Sequence, residues 1–72
     1  MKTERQIRIT TPYVTLGQFL KLADIIDSGG QAKAFLRERG LHVNDVYEQR
    51  RGRKLYPGDL IVYQNISYRI VA

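Results

Sequence analysis

The sequence predicts a small α+β domain in which two N-terminal helices pack on a small antiparallel β-sheet. Three patterns indicate this. Apolar residues recur at helical spacing from Leu16 to Ile26, a second amphipathic segment stops at Gly40, and the rest of the chain alternates apolar and polar residues between turn signals. With 72 residues and no cysteine, we expect one domain, residues 1–72, held together by its aliphatic and aromatic side chains.

An additional strand is expected before the helices. Residues Gln6 to Thr10 alternate polar and apolar side chains, and Pro12 ends the segment because proline cannot donate to a β-ladder. We expect this strand to pair with the last strand and to bring the two termini together.

Both helices carry capping signals. Thr15 with Gln18 forms a capping box for the first helix, and Ser28 with Gln31 forms one for a second helix that extends through Arg39. The core positions of the first helix are Leu16, Phe19, Leu20, Ala23 and Ile26.

Short strands are expected after Gly40, which ends the second helix. Predicted turns at Asn44-Asp45, Pro57-Gly58 and Gln64-Asn65 separate them. The strands are Leu41–Val43, Val46–Tyr47, Leu55–Tyr56, Leu60–Tyr63 and Ile66–Val71.

The positive charge is concentrated in one part of the chain. The net charge is +5. The segment from Gln31 to Lys54 carries +4 of it, because it contains seven basic and three acidic residues. A one-sided positive field favours a polyanionic partner. The seven are Lys33, Arg37, Arg39, Arg50, Arg51, Arg53 and Lys54.

Two segments together predict a phosphate-binding surface. The Ser28–Gln31 turn offers backbone amides at a helix start, followed by Lys33 and Arg37 four residues apart. The run Arg50–Lys54 is rich in arginine, which suits bidentate phosphate contacts. The alternatives are an ordinary capped turn and a solubilising sheet edge.

Other candidate residues are weaker. His42 alternates with Leu41 and Val43 and should face solvent or RNA, whereas Asn44 more simply shapes its turn. Among the tyrosines only Tyr47 is retained, since Tyr56, Tyr63 and Tyr68 are better explained by core packing. The candidate binding residues are Ser28, Gly29, Gly30, Gln31, Lys33, Arg37, His42, Tyr47, Arg50, Arg51, Arg53 and Lys54.

The order of these signals resembles the ribosomal-protein S-four-type RNA-binding domain, or αL RNA-binding motif. The resemblance covers about residues 15–63 and is closest to small stand-alone YaaA-type bacterial members. Gly29 and Asp45 depart from the family pattern, which has arginine and glycine there. The matching positions are Ser28, Ala32, Leu41, Val43, Asn44, Pro57, Gly58 and Asp59.

The resemblance implies a domain that binds structured RNA. Because the sequence has no apolar run of membrane-spanning length and no plausible pair of nucleophile and base, we expect a cytoplasmic, non-catalytic protein. Ribosomal RNA is the favoured ligand, ribosomal particles are possible partners, and a role in ribosome assembly follows. We expect a monomer without a membrane segment or a cofactor. We also expect no metal site, because one histidine and no cysteine cannot supply a pair of metal ligands. The alternatives are an adaptor for proteins of a translation or replication complex, DNA binding by the same basic surface, and, with least support, a small enzyme.

Overall fold

The computed structural model describes residues 3–72. Both helices are short, and a 3₁₀ turn at Gly29–Gln31 leads directly into the second one. In chain order the elements are β1 (Thr3–Arg8), β2 (Val14–Thr15), α1 (Leu16–Leu22), α2 (Ala32–Glu38), β3 (Leu41–Val43), β4 (Val46–Glu48), β5 (Lys54–Leu55), β6 (Leu60–Tyr63) and β7 (Ile66–Val71).

The main sheet has five strands in the order β1-β7-β6-β3-β4, and β2 pairs with β5 in a separate two-stranded ladder. Strands β1 and β7 are parallel, with Thr3 beside Ile66 and Arg8 beside Val71, whereas the other pairs are antiparallel. The sheet is therefore mixed, and the expectation of an antiparallel one is wrong at this edge.

The N-terminal strand pairs with the last strand as expected, but it spans Thr3–Arg8 rather than 6–10. Parallel pairing places the two ends of the described chain at opposite ends of the strand pair, so the expectation that the termini meet is wrong. The chain also does not begin with its helices, because β1 and β2 precede both of them.

The capping box of α1 is confirmed. The Gln18 amide donates to the Thr15 hydroxyl oxygen at 3.3 Å, and the Thr15 amide donates to the Gln18 side chain at 2.8 Å. The helix ends at Leu22, before the apolar pattern does, because Asp24 adopts a left-handed conformation with φ of 58°. Neither helix within residues 3–72 has the length and apolar character needed to cross a bilayer.

The core lies between the two helices and one face of the sheet. Phe19 packs edge-on against Tyr68, with ring centroids 5.3 Å apart. The fully buried side chains come from α1, α2 and the strands alike, so helices and sheet share one core; the largest are Phe19, Leu16, Leu20, Leu36, Leu55, Ile61, Ile70 and Val43.

The β3–β4 hairpin is closed by the residue pair that the sequence indicated. Asn44 and Asp45 both have positive φ, 50° and 69°, as a type I′ turn requires. The Asn44 side chain accepts a hydrogen bond from the Leu60 amide at 3.0 Å and donates to Asp59 at 3.2 Å. Asn44 thus shapes its turn and ties the hairpin to β6.

Gly40 links α2 to the sheet. Its φ is +64°, and a Cβ at this position would collide with the Tyr47 ring, whose hydroxyl donates to the Arg39 carbonyl oxygen at 3.1 Å. The sharp reversal between α2 and β3 therefore needs glycine both for its backbone and for the space above it.

We expect Gly40→Ala to lower the free energy of unfolding by about 1–2 kcal/mol from the backbone conformation alone, with a further loss from the displaced Tyr47. Urea unfolding followed by circular dichroism measures the change. Gly52→Ala is the matched control, because a Cβ there meets nothing within 4 Å. Equal stability of the two variants would contradict this account of the turn.

Candidate nucleic-acid interface

The basic run does not act as a single unit, because two of its arginines are held by a carboxylate. Arg50 forms a two-point contact with Glu48, Nε to Oε2 and Nη2 to Oε1, each at 3.0 Å. Arg53 Nη1 donates to Glu48 Oε1 at 3.0 Å. The Glu48 side chain is only 7% exposed, against 77% for Arg50 and 28% for Arg53.

Glu48 also organises the backbone of the segment that follows it. The amides of Gln49 and Arg50 donate to Glu48 Oε2 at 3.1 and 3.0 Å. The side-chain hydrogen bond from Arg50 is the main cause that lowers the pKa of Glu48 to about 2, with smaller contributions from the Arg50 amide and from Arg53 and an opposing one from burial. A carboxylate that is ionised at neutral pH therefore fixes the loop of residues 49–53.

The same loop is bound to the start of α1. The Leu16 amide donates to the Arg53 carbonyl oxygen at 2.8 Å, and the Gly17 amide donates to that of Arg51 at 3.0 Å. These bonds satisfy amides that a helix start leaves without an intrahelical partner. A Cβ on Gly17 would lie 2.7 Å from Arg51 Cγ, so glycine lets the Arg51 side chain lie close against the helix.

A groove between this loop and α2 brings the two sequence segments together. It is lined by Lys33, Arg37, Gln49 and Arg51, which we call the basic groove. Gln49 Nε2 donates to the carbonyl oxygens of Leu36 and Arg37 at 3.0 and 3.2 Å and so joins the loop to the end of α2. Among residues 3–72, no carboxylate lies within 4.0 Å of the three groove cations.

The Ser28–Gln31 turn adjoins the basic groove through Arg51. Gly29 lines a neighbouring depression together with Gly52 and Arg51. The Gln31 side-chain oxygen accepts hydrogen bonds from the amides of Asp27 and Ser28 at 2.7 and 3.1 Å. The Gln31 half of the predicted capping box is therefore present, but it closes the 3₁₀ turn rather than α2, which begins at Ala32. Gly29 adjoins Arg51, whereas Gly30 and Gln31 line a separate depression.

His42 and Tyr47 lie elsewhere. They are paired across β3 and β4, their rings are 5.6 Å apart, and they line a different depression with Arg39 and Gly40. His42 faces solvent as expected. The structure therefore does not bring these two candidates to the basic groove.

Lys54 has an aromatic neighbour. Its Nζ lies 5.1 Å from the centroid of the Tyr13 ring, and the Tyr13 and Tyr56 rings are 5.7 Å apart. Tyr56 is 48% exposed, so the prediction that it packs in the core is wrong, whereas Tyr68 is buried and Tyr63 half-buried. The Pro57–Gly58 turn that follows leaves the Tyr56 side chain at the surface.

Most of the chain matches a known protein family. Residues 7–71 match the family described as S4 domain. The chain belongs to the S4 domain family. It is also 54% identical over 66 residues to the probable ribosome maturation protein RlbA of Bacillus subtilis (strain 168), an alignment that covers 90% of this chain and 93% of that relative. The resemblance to small stand-alone members is confirmed.

Sequence reasoning missed four residues that shape the candidate interface: Gly17, Glu48, Gln49 and Tyr13. An acidic residue two positions before the basic run was the available signal for Glu48. Gly17, Gln49 and Tyr13 act through tertiary contacts with segments remote in sequence, so no local pattern marks them.

We expect Glu48→Gln to lower the free energy of unfolding at neutral pH by about 1–2 kcal/mol, less than a fully buried charged pair because Arg50 is largely exposed. The pKa of Glu48 in the folded protein lies below its ordinary value of 4.5, so its stabilising effect is complete above that pH and is lost as the pH falls towards about 2.

Urea unfolding of both proteins across this pH range measures the effect. The difference between them should be largest above pH 4.5 and should close towards pH 2, where Glu48 itself becomes protonated. A difference that is independent of pH would show that the ionised carboxylate is not what stabilises the loop.

Proposed function

We propose that this protein binds structured RNA, with ribosomal RNA as the favoured ligand, and that it acts in ribosome maturation as a monomeric, non-catalytic binding domain spanning residues 1–72. One observation carries the proposal. Lys33 and Arg37 from α2 and Arg51 from the loop after β4 lie around one groove, and the described chain offers these cations no carboxylate.

Phosphate groups are the chemistry that such a groove suits. Arginine donates in a planar fork that matches phosphate oxygens, and lysine adds a compact charge. The hydrogen bonds to the Glu48 carboxylate, and those from Gln49 to the end of α2, hold the loop and α2 in place before binding. Fixing the donors in advance reduces the ordering cost of association.

The choice of RNA rests on family membership and on the relative. The αL motif that this sequence resembles implies RNA binding, and the Bacillus subtilis relative bears the name of a probable ribosome maturation protein. A-form RNA is recognised largely through shape and phosphate contacts, because side chains cannot read its deep, narrow major groove. A rigid groove with separated cations fits that mode.

The proposal assigns the protein no chemical step. The single histidine packs its ring against Tyr47 rather than beside Ser28, so these two do not form a nucleophile and base pair. Within residues 3–72, no group of three acidic, histidine or cysteine side chains is placed to hold a metal ion. Binding alone accounts for the arrangement of the described side chains.

We expect Arg51→Ala, and separately the double substitution Lys33→Ala with Arg37→Ala, to weaken RNA binding at least several-fold, since each lost charge-assisted contact is worth up to about 1.5–3 kcal/mol and less where solvent screens it. Fluorescence anisotropy with ribosomal RNA fragments measures the loss. Arg51 is a better test than Arg50 or Arg53, because it is not engaged with Glu48.

Arg8→Ala is the matched control, because it removes the same charge from β1 at the opposite edge of the sheet from β4. It should bind nearly as wild type does. An equal loss in all three variants would mean that net charge, not the groove, drives association. If RNA fails to displace a bound acidic protein, the protein-adaptor alternative is favoured. Equal affinity for DNA would favour DNA binding by the same basic surface.

The affinity should also fall steeply with salt. Five exposed cations lie in the groove or on the loop and strand beside it. At 0.7 to 0.9 counterions per phosphate contact they predict a log–log slope of about −3.5 to −4.5. Titrations between about 50 and 300 mM KCl determine the slope. A value near zero would rule out phosphate-dominated binding. The five are Lys33, Arg37, Arg50, Arg51 and Lys54.

A further inference from the structure

Two exposed tyrosines form a surface that lies outside the basic groove. Tyr13 is 39% and Tyr56 48% exposed, and their rings meet at an angle of 48°. Lys54 lies over the Tyr13 ring, and Leu22 is exposed in the depression that Tyr13 lines. We call Tyr13, Leu22, Lys54 and Tyr56 the aromatic patch.

Hydrogen bonds fix the backbone at both tyrosines. The Thr11 hydroxyl donates to the Tyr13 carbonyl oxygen at 2.8 Å, and the Tyr56 amide donates to Asp59 Oδ2 at 2.8 Å. The neighbouring strands β2 and β5 pair Thr15 with Lys54. The backbone therefore places both rings at the surface. There they contribute less to the core than buried aromatic side chains do.

The aromatic patch is continuous with the basic groove. Arg51 lines both the groove and the depression beside Gly29. Gln18 lines that depression and also the one that contains Tyr13 and Leu22. A single ligand lying along this path would touch cations at one end and aromatic rings at the other.

We propose that the aromatic patch binds one unpaired nucleobase of the same RNA whose phosphates lie in the basic groove, with Lys54 contacting the phosphate of that nucleotide. The inference rests on the function proposed above and adds the class of RNA: a helix next to an unpaired nucleotide. Bases freed from pairing stack on tyrosine rings, and stacking accepts any base. The cation beside the rings and the continuity with the groove favour a nucleotide over an apolar protein segment.

The test compares three RNAs built on one stem: a blunt stem, the stem with two unpaired nucleotides at each end, and the latter with abasic sugars at the unpaired positions. The abasic RNA keeps every phosphate and removes only the bases. Wild-type protein should bind the base-containing RNA about 5- to 10-fold more tightly than the abasic one, near the lower end for base–aromatic stacking.

The double variant Tyr13→Ala with Tyr56→Ala should bind these two RNAs equally, whereas the double variant Tyr13→Phe with Tyr56→Phe should keep the preference. The preference is a ratio measured within one protein, so partial loss of stability does not imitate its disappearance. Because the chain has no tryptophan, Tyr56→Trp supplies a second readout: the base-containing RNA should quench the indole fluorescence more strongly than the abasic RNA.

The inference is overturned if wild-type protein binds base-containing and abasic RNA equally while Arg51→Ala still weakens both, and the proposed function then stands. It also fails if the alanine variant keeps its preference for bases but no longer binds ribosomal particles, which would identify a protein-docking surface. If the wild-type protein binds none of the three RNAs or ribosomal RNA fragments, the proposed function fails, and the inference fails with it.

Discussion

The buried carboxylate of Glu48 organises the loop that forms one side of the basic groove. An ionised group with so little exposure is tolerated only when donors surround it. Here two backbone amides and the guanidinium groups of Arg50 and Arg53 supply five hydrogen bonds. Because those donors all lie within the next five residues, satisfying the carboxylate folds residues 49–53 into one defined loop, which then binds the start of α1 and the end of α2.

This constraint divides the basic run into residues with different roles. Arg53 is largely buried and neutralises Glu48, and Arg50 shares its guanidinium between Glu48 and solvent. Arg51 lies between them in sequence but projects into the basic groove beside Lys33 and Arg37. Arg50 and Arg53 hold the loop that carries Arg51, so removing either of them would alter the geometry of the groove as well as the charge beside it.

Local chemistry made much of the fold predictable from the sequence. The Thr15 capping box, the glycine at position 40 and the Asn44-Asp45 turn are each specified by neighbouring residues and are found as predicted. The parallel pairing of β1 with β7 was not predictable, since it joins segments some sixty residues apart whose local patterns do not encode strand direction. At the site, the shared location of Lys33, Arg37 and Arg51 was anticipated. The engagement of Arg50 and Arg53 with Glu48 and the exposure of Tyr56 were not, because both depend on tertiary packing.

The basic groove and the aromatic patch together would let a small domain select one site on an RNA. Phosphate contacts position a protein on nucleic acid but carry no sequence information, so the basic groove alone would bind many helical RNAs with similar affinity. A stacking surface at a fixed place along the same path changes this, because only RNAs with an unpaired base at the matching distance from the helix engage both ends at once. In the proposed complex, selectivity comes from the shape of a helix boundary rather than from base identity. A rigid loop is what such a mechanism requires, since movement of Arg51 relative to Tyr13 would allow either end to bind without the other. Glu48 and the bonds from the loop to α1 supply that rigidity.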